Sequence, residues 1–248
     1  MRRSAILLLA LAGFAPVTVH AADARATLER YLSRALAVQI RDLTLDQDLT
    51  VFSPDGRAPF ASGTQRVVFR FPDRQRVEQI IEGRTEVRIT VGSQTWRRGF
   101  DGKIATLPPE RGQGVALAVP VHRTADEVLA EWRALGIRDD RFHEARLSGR
   151  RVVVVGALVG ERDRPAVWLD PEYGVMRLVA REQSDAGTVF TDVSFSDYRP
   201  LLSGFFFPHR EEIFRSGKLL VRLLVRSVVA NTNPPDALFD PAKLRDAR

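Results

Sequence analysis

Apolar residues recur along this chain with two different periods, and the change between them marks its elements. Residues 27–40 place Leu28, Tyr31, Leu32, Ala35, Leu36 and Gln39 on one side at helical spacing, which predicts one amphipathic helix with Thr27 as its N-cap. From Leu43 the period falls to two. Leu43, Leu45, Leu49 and Val51 predict a strand, Ser53-Pro54-Asp55-Gly56 a turn, and residues 64–71 a second strand with Val67, Phe69 and Phe71 on one face, broken by Pro72-Asp73. Residues 75–81 and 84–91 then pair across Glu82-Gly83, and Gly92-Ser93 and Asp101-Gly102 punctuate two further short strands.

Residues 108–123 contain Pro and Gly and carry no clear period. Thr124-Ala125-Asp126-Glu127 is a capping box that opens a second helix, burying Val128, Leu129, Trp132 and Leu135 and stopping at Gly136. Strands resume at 142–148, 151–159, 165–170, 175–183, 188–198, 205–214 and 218–230. They are divided by Ser148-Gly149, Pro171-Glu172-Tyr173-Gly174, Asp185-Ala186-Gly187, Ser203-Gly204 and Ser216-Gly217. The pattern amounts to about eleven strands and two or three helices, a mainly β (α+β) chain. Strands joined by short turns are antiparallel, and so many must curl to hide their edges, so the expected fold is one sheet wrapped around its helices.

The first 21 residues follow a different rule. Arg2 and Arg3 form a basic start, Ala5 to Ala15 an apolar run, and Val19-His20-Ala21 a small-residue cleavage site, so a secretory signal peptide over 1–21 is expected, cut after Ala21. The run is shorter than the roughly 20 residues a spanning helix needs. What remains, residues 22–248, is expected to be a single domain, soluble in a Gram-negative periplasm.

Composition narrows the chemistry. The 248 residues carry a net charge of +6 and no cysteine, which removes disulfides, thiolate metal sites and Cys nucleophiles. Only three of the 37 cationic residues are lysines (Lys103, Lys218 and Lys243), and the arginines alternate with acids as on the wet face of a strand, which offers nucleic acid no continuous track. There is no nucleophile elbow and no phosphate-cradling loop. Gly112-Gln113-Gly114 lacks the third glycine of a dinucleotide fingerprint, and Asp42, Asp46 and Asp48 lack the glycine and glutamate of a calcium loop. His122, His143 and His209 are far apart in sequence. No cofactor or metal is expected, and the chain reads as non-enzymatic.

What is left over is apolar. Trp96, Phe100, Trp132, Trp168, Phe190 and Phe195 join the residues above, and Phe205-Phe206-Phe207 puts aromatics on both faces of one strand. A hydrophobic cavity between curved sheet and helices would use such a surplus.

The order of features also resembles a known family. The leading helix, the F-x-x-P-D-x-x-R-x-E pattern within residues 66–78, Phe100-Asp101-Gly102, Asp170-Pro171 with Gly174, Asp197-Tyr198-Arg199 with Gly204 and Phe207-Pro208, and the closing Asn231 with Leu238-Phe239 resemble the LolA-like outer-membrane lipoprotein-sorting proteins. The resemblance implies a half-open antiparallel β-barrel with helices as a lid, holding acyl chains of a lipoprotein or lipid. An inner-membrane transporter or outer-membrane acceptor would be its further partner. Val67, Phe69, Phe71, Val87, Ile89, Trp96, Leu129, Trp132 and Phe206 are the candidate cavity residues. The alternative is a periplasmic sensor or accessory subunit of an envelope-stress or membrane-transporter system.

Overall fold

The structure, a computed structural model, describes residues 24–107, 120–161, 164–184, 187–202 and 204–245. The expected leader, most of the 108–123 stretch with its Gly112-Gln113-Gly114 pair, and parts of the turns at 185–187 and 203–204 lie outside the described residues. Helix α1 (Ala24–Ala37) buries Ala24, Thr27, Leu28, Tyr31, Leu32 and Ala35. Thr27 is therefore not a cap but part of the buried stripe, which begins a turn earlier at Ala24. Leu36 is exposed, since it sits one step of about 100° round from Ala35 and beyond a narrow stripe. Helix α2 (Ala125–Ala134) starts as its sequence predicts: Thr124 Oγ1 accepts from the Glu127 N–H, and the Glu127 carboxylate accepts from the Thr124 N–H at 2.7 Å. Gly136, at φ +81°, ends that turn.

The strands are β1 (Asp42–Phe52), β2 (Pro59–Arg70), β3 (Arg74–Ile81), β4 (Arg84–Val91), β5 (Gln94–Arg98) and β6 (Ile104–Leu107) before α2. After it come β7 (Phe142–Leu147), β8 (Arg150–Val155), β9 (Ala166–Asp170), β10 (Gly174–Ser184), β11 (Gly187–Leu202), β12 (Phe205–Arg215) and β13 (Lys218–Ala230). All thirteen form one antiparallel sheet in the order β6-β5-β4-β3-β2-β1-β13-β12-β11-β10-β9-β8-β7. Each segment read from the sequence is present, the two short ones pairing as β5 and β6, so thirteen strands stand where the total of about eleven undercounted them. The first and last strands meet, Leu43 opposite Ala230, so the sheet's two ends are β6 and β7, neighbours in the chain but not paired with each other. The barrel is unclosed along that line.

Two-residue turns set which side chains share a face. Glu82-Gly83, Ser148-Gly149 and Ser216-Gly217 all have positive φ at both residues, the hairpin geometry that glycine at the second position favours. Across Glu82-Gly83, Ile81 pairs with Arg84, and so Val77 stands opposite Arg88 and Val87 opposite Glu78. The helices cover one face of the sheet, called inner below. The outer face of β2–β4 is covered by the chain's end, two short 3-10 turns at Asp236–Phe239 and Pro241–Arg245. Arg70 bonds Asp236 and the Pro234 carbonyl and lies over the Phe239 ring, Arg74 reaches Asp236 at 2.9 Å, and Arg76 reaches the Leu238 carbonyl.

The seam and the β9–β10 turn use buried carboxylates. Asp42 accepts from the Thr232 N–H at 2.6 Å and the Asn233 N–H at 3.1 Å, fixing the exit of β13. Asp170, 1% exposed, accepts from the Glu172 and Tyr173 N–H groups and is gripped by Arg150 through two nitrogens. That turn ends at Gly174, where φ is +81° and a Cβ would lie 2.3 Å from the Tyr31 ring of α1. Glycine is required there twice over, by backbone and by the helix seated on it. Replacing Gly174 by Ala is expected to cost about 2–4 kcal/mol in urea denaturation, from the left-handed backbone and the overlap together. In a Tyr31→Ala background the same change should cost less, because only the backbone part remains.

Candidate functional site

The inner face can be followed from strand to strand by register. Leu43 and Leu45 on β1 stand opposite Phe69 and Val67 on β2, and beyond the seam Phe205 and Phe207 occupy the alternating inward positions of β12. Val153 and Val155 stand opposite Leu169 and Val167 on the far flank. Against this apolar surface α1 lays Leu28, Tyr31 and Leu32, and α2 lays Val128, Leu129 and Trp132. Tyr31 and Phe205 stack at 6.3 Å, and burial pushes the Tyr31 hydroxyl's pKa far above its ordinary value. The helices are tied to each other at their solvent side by Arg25 and Asp126.

Five of the nine candidate residues belong to this surface. Val67, Phe69, Leu129 and Trp132 are buried in one cluster, and half-buried Phe71 packs on it with its ring parallel to Phe69 at 5.8 Å. The other four are elsewhere. Val87 and Ile89 are buried on the outer face with Leu244 of the second 3-10 turn, and Trp96, opposite Ile89, packs on them. The two-residue turn after Ile81 dictates this, because it puts odd-numbered β3 positions opposite even-numbered β4 positions. Phe206 points outward between its two inward neighbours and meets Tyr173 at 5.0 Å, which in turn stacks on Tyr198 at 4.5 Å. Burial likewise raises the Tyr198 hydroxyl's pKa, and that hydroxyl donates to the Val175 carbonyl.

Between α1, α2 and the sheet lies a small cleft, open to solvent, with Tyr31, Trp132 and Val175 in its walls and the Arg123–Glu131 ion pair at its rim. Its free volume is about 10 Å³, room for about one water, so the helices fill the space they cover.

Past the helix-covered rows the inner face changes character. The ladder sets Gln47 opposite Gln65, Gln65 opposite Gln79 and Gln79 opposite Glu86, a polar row across four strands. On β12, His209 and Glu211 continue the inward alternation of Phe205 and Phe207. Glu211 is 7% exposed and stands opposite Phe195 and Leu223, and burial alone pushes its carboxyl up to about 7. None of these polar residues was among the sequence candidates. The signal was a polar residue in an apolar frame: Gln47 between Leu45 and Leu49, Gln65 in step with Val67, Glu211 in step with Phe207 and Ile213. Among the described residues no group of three or more His, Asp and Glu side chains is placed to hold a metal ion. No helix among them is long and apolar enough to cross a membrane.

No family model matches the chain, and no curated protein sequence matches it. Solved structures do. A domain assigned to outer membrane lipoprotein sorting, from Vibrio parahaemolyticus, superposes with a TM-score of 0.58 at 12% identity, over 88% of this chain and 97% of its own. A DUF1329 family protein from Desulfovibrio piger gives 0.56 at 9% identity, over 90% and 99%. A LolA superfamily protein from Nitrosomonas europaea gives 0.52 at 11% identity, over 86% and 97%. The chain has a LolA-like fold: a mainly β, unclosed antiparallel barrel with helices on its concave side.

Glu211 gives the site a pH signature. Its carboxyl is raised from 4.5 to about 7 in the folded chain, so the stability it supports is complete below pH 4.5 and is lost as the pH climbs to 7. That loss amounts to about 3 kcal/mol. In urea denaturation, Glu211→Gln should gain about 3 kcal/mol on the wild type between about pH 4 and about pH 8. A difference between the two proteins that stays constant with pH would contradict the assignment.

Proposed function

We propose that this chain is a non-enzymatic periplasmic carrier, exported by cleavage of residues 1–21, that binds the acyl chains of lipoproteins or lipids on its concave face. The observation that carries this reading is the apolar inner surface of β1, β2, β8, β9 and β12, covered by two helices rather than by a second sheet or by barrel closure. The LolA-like fold supports it, since one structural neighbour is assigned to lipoprotein sorting.

The physical exchange is simple. In the structure α1 and α2 occupy the surface an acyl chain needs, leaving a cleft of only about 10 Å³. A chain enters as the helices give way, and each methylene it buries contributes about 0.8 kcal/mol. The helices' own apolar stripes, Leu28, Tyr31 and Leu32 with Val128, Leu129 and Trp132, then lie against the chain instead of the sheet. When the cargo leaves, the same residues close back, so neither the loaded nor the empty face is left bare to water. Solvent-side ties such as Arg25 to Asp126 suit a cover that opens, because water screens an exposed ion pair and leaves it little hold. An inner-membrane donor and an outer-membrane acceptor are the partners this traffic requires.

Uptake of a fluorescent fatty acid by the mature protein tests the reading. Phe69→Glu, which puts a carboxylate under the helices, should abolish uptake in a protein that still folds. Phe206→Glu, on the outer face, should leave affinity within about two-fold, since it touches none of the apolar surface exchanged. No uptake by the wild type, or equal loss in both variants, would contradict it.

A further inference from the structure

The concave face has a second half that the helices do not use, and it holds polar side chains in an apolar frame. Gln47 is 1% exposed, Gln65 8% and Glu211 7%, and among the described residues none of the three side chains bonds to another. Gln47 and Gln65 stand directly opposite each other. Glu211 belongs to the same face through Leu223 and Leu49, two strands across the seam, roughly 10 Å from β1 at the usual strand spacing. Polar side chains set in an apolar frame, with tips that still reach the concavity and no partner among the described residues, are the complement of a polar ligand group.

Their chemistry specifies that group. Two amides each offer donors and an acceptor, and a carboxyl surrounded by Phe195, Leu223 and Ile213 is held toward its neutral form by burial. His209, inward on the same strand, spends its Nδ1 on the Phe207 carbonyl. Arg210, the next residue along β12, faces the other side with Ser196 and Leu224. The half-buried inward cations of this face, Arg88 and Arg97, stand at its far edge on β4 and β5, where Arg88 is ion-paired to Glu86, while Arg84, Arg199 and Arg215 fall on the same frame at its exposed margins. A phosphate seated at Glu211 and Gln47 would meet a carboxyl and no cation. A hydroxyl both donates and accepts and suits amide and carboxyl alike. The apolar rows begin immediately beside the polar one, with Leu45 and Val67 next in register to Gln47 and Gln65.

We infer that Gln47, Gln65 and Glu211 form a head-group site for a neutral, hydroxylated amphiphile whose acyl chain lies on the adjoining helix-covered rows. This rests on the carrier reading and narrows it to a cargo class.

Two probes with the same fourteen-carbon chain separate the inference from that reading. Calorimetric titration of the mature, delipidated protein with 1-monomyristoylglycerol and with tetradecyl phosphate should show the glycerol head binding at least about ten-fold tighter. The paired change Gln47→Leu with Glu211→Leu should reduce monomyristoylglycerol affinity about ten-fold and leave tetradecyl phosphate within about two-fold. The retained phosphate-probe binding shows that the variant is folded. Equal affinity of the two probes for the wild type, tighter binding of tetradecyl phosphate, or a parallel fall of both in the variant would overturn the head-group site while leaving the carrier reading standing. Binding of neither probe by the wild type would overturn both.

Discussion

A sheet that does not close must have its apolar face covered, and everything else in this molecule follows from that. The strands meet at the β1–β13 seam, yet β6 and β7 remain unpaired with each other, so the inner face of Leu43, Leu45, Val67, Phe69, Phe205 and Phe207 depends on α1 and α2 for shelter. The places where the cover attaches are accordingly the most constrained in the chain. Tyr31 sits on Gly174, which no side chain could replace without displacing the ring. The Asp170 turn that presents that glycine is itself held by Arg150. By contrast, the helices' tie to one another is an exposed ion pair, which constrains little.

The outer face has a cover of a different kind. Arg70, Arg74 and Arg76 bind the C-terminal segment through Asp236 and backbone carbonyls, and Phe239 and Leu244 fill the surface beneath. A planar guanidinium with several donors can hold a carboxylate, a carbonyl and an aromatic ring together, a task for which lysine is poorly shaped. Part of the chain's strong preference for arginine thus has a structural use. One face is strapped by charge and hydrogen bonds, the other is covered by apolar helices, and only the second arrangement lends itself to exchange with a lipid.

The strand pattern, the turns and the second helix with its capping box were legible from period and turn chemistry alone, because short-range rules govern them. The grouping of side chains was harder. Val87, Ile89 and Trp96 alternate as convincingly as Val67 and Phe69, but alternation names a face without saying which one. The sign comes from turn length, since a two-residue loop at Glu82-Gly83 forces Val77 opposite Arg88. The C-terminal turns that cover Val87 and Ile89 announce nothing at short range, because their contact with β4 spans more than a hundred residues. Phe206 failed for a simpler reason: of three successive aromatics two point one way, and the inward frame is set by His209 and Glu211, polar residues that hide the pattern. Those same polar residues proved the more informative, since an amide or carboxyl in an apolar frame marks a position where burial has been accepted without a partner.

The central claim is that the concave face carries acyl chains, and the most direct measurement is mass spectrometry of organic extracts from the mature protein, purified from a periplasm without detergent. The account predicts a near-stoichiometric acylated compound that is absent from extracts of Phe69→Glu. A wild-type protein that is folded, empty and unable to acquire such a compound from donor membranes would contradict it.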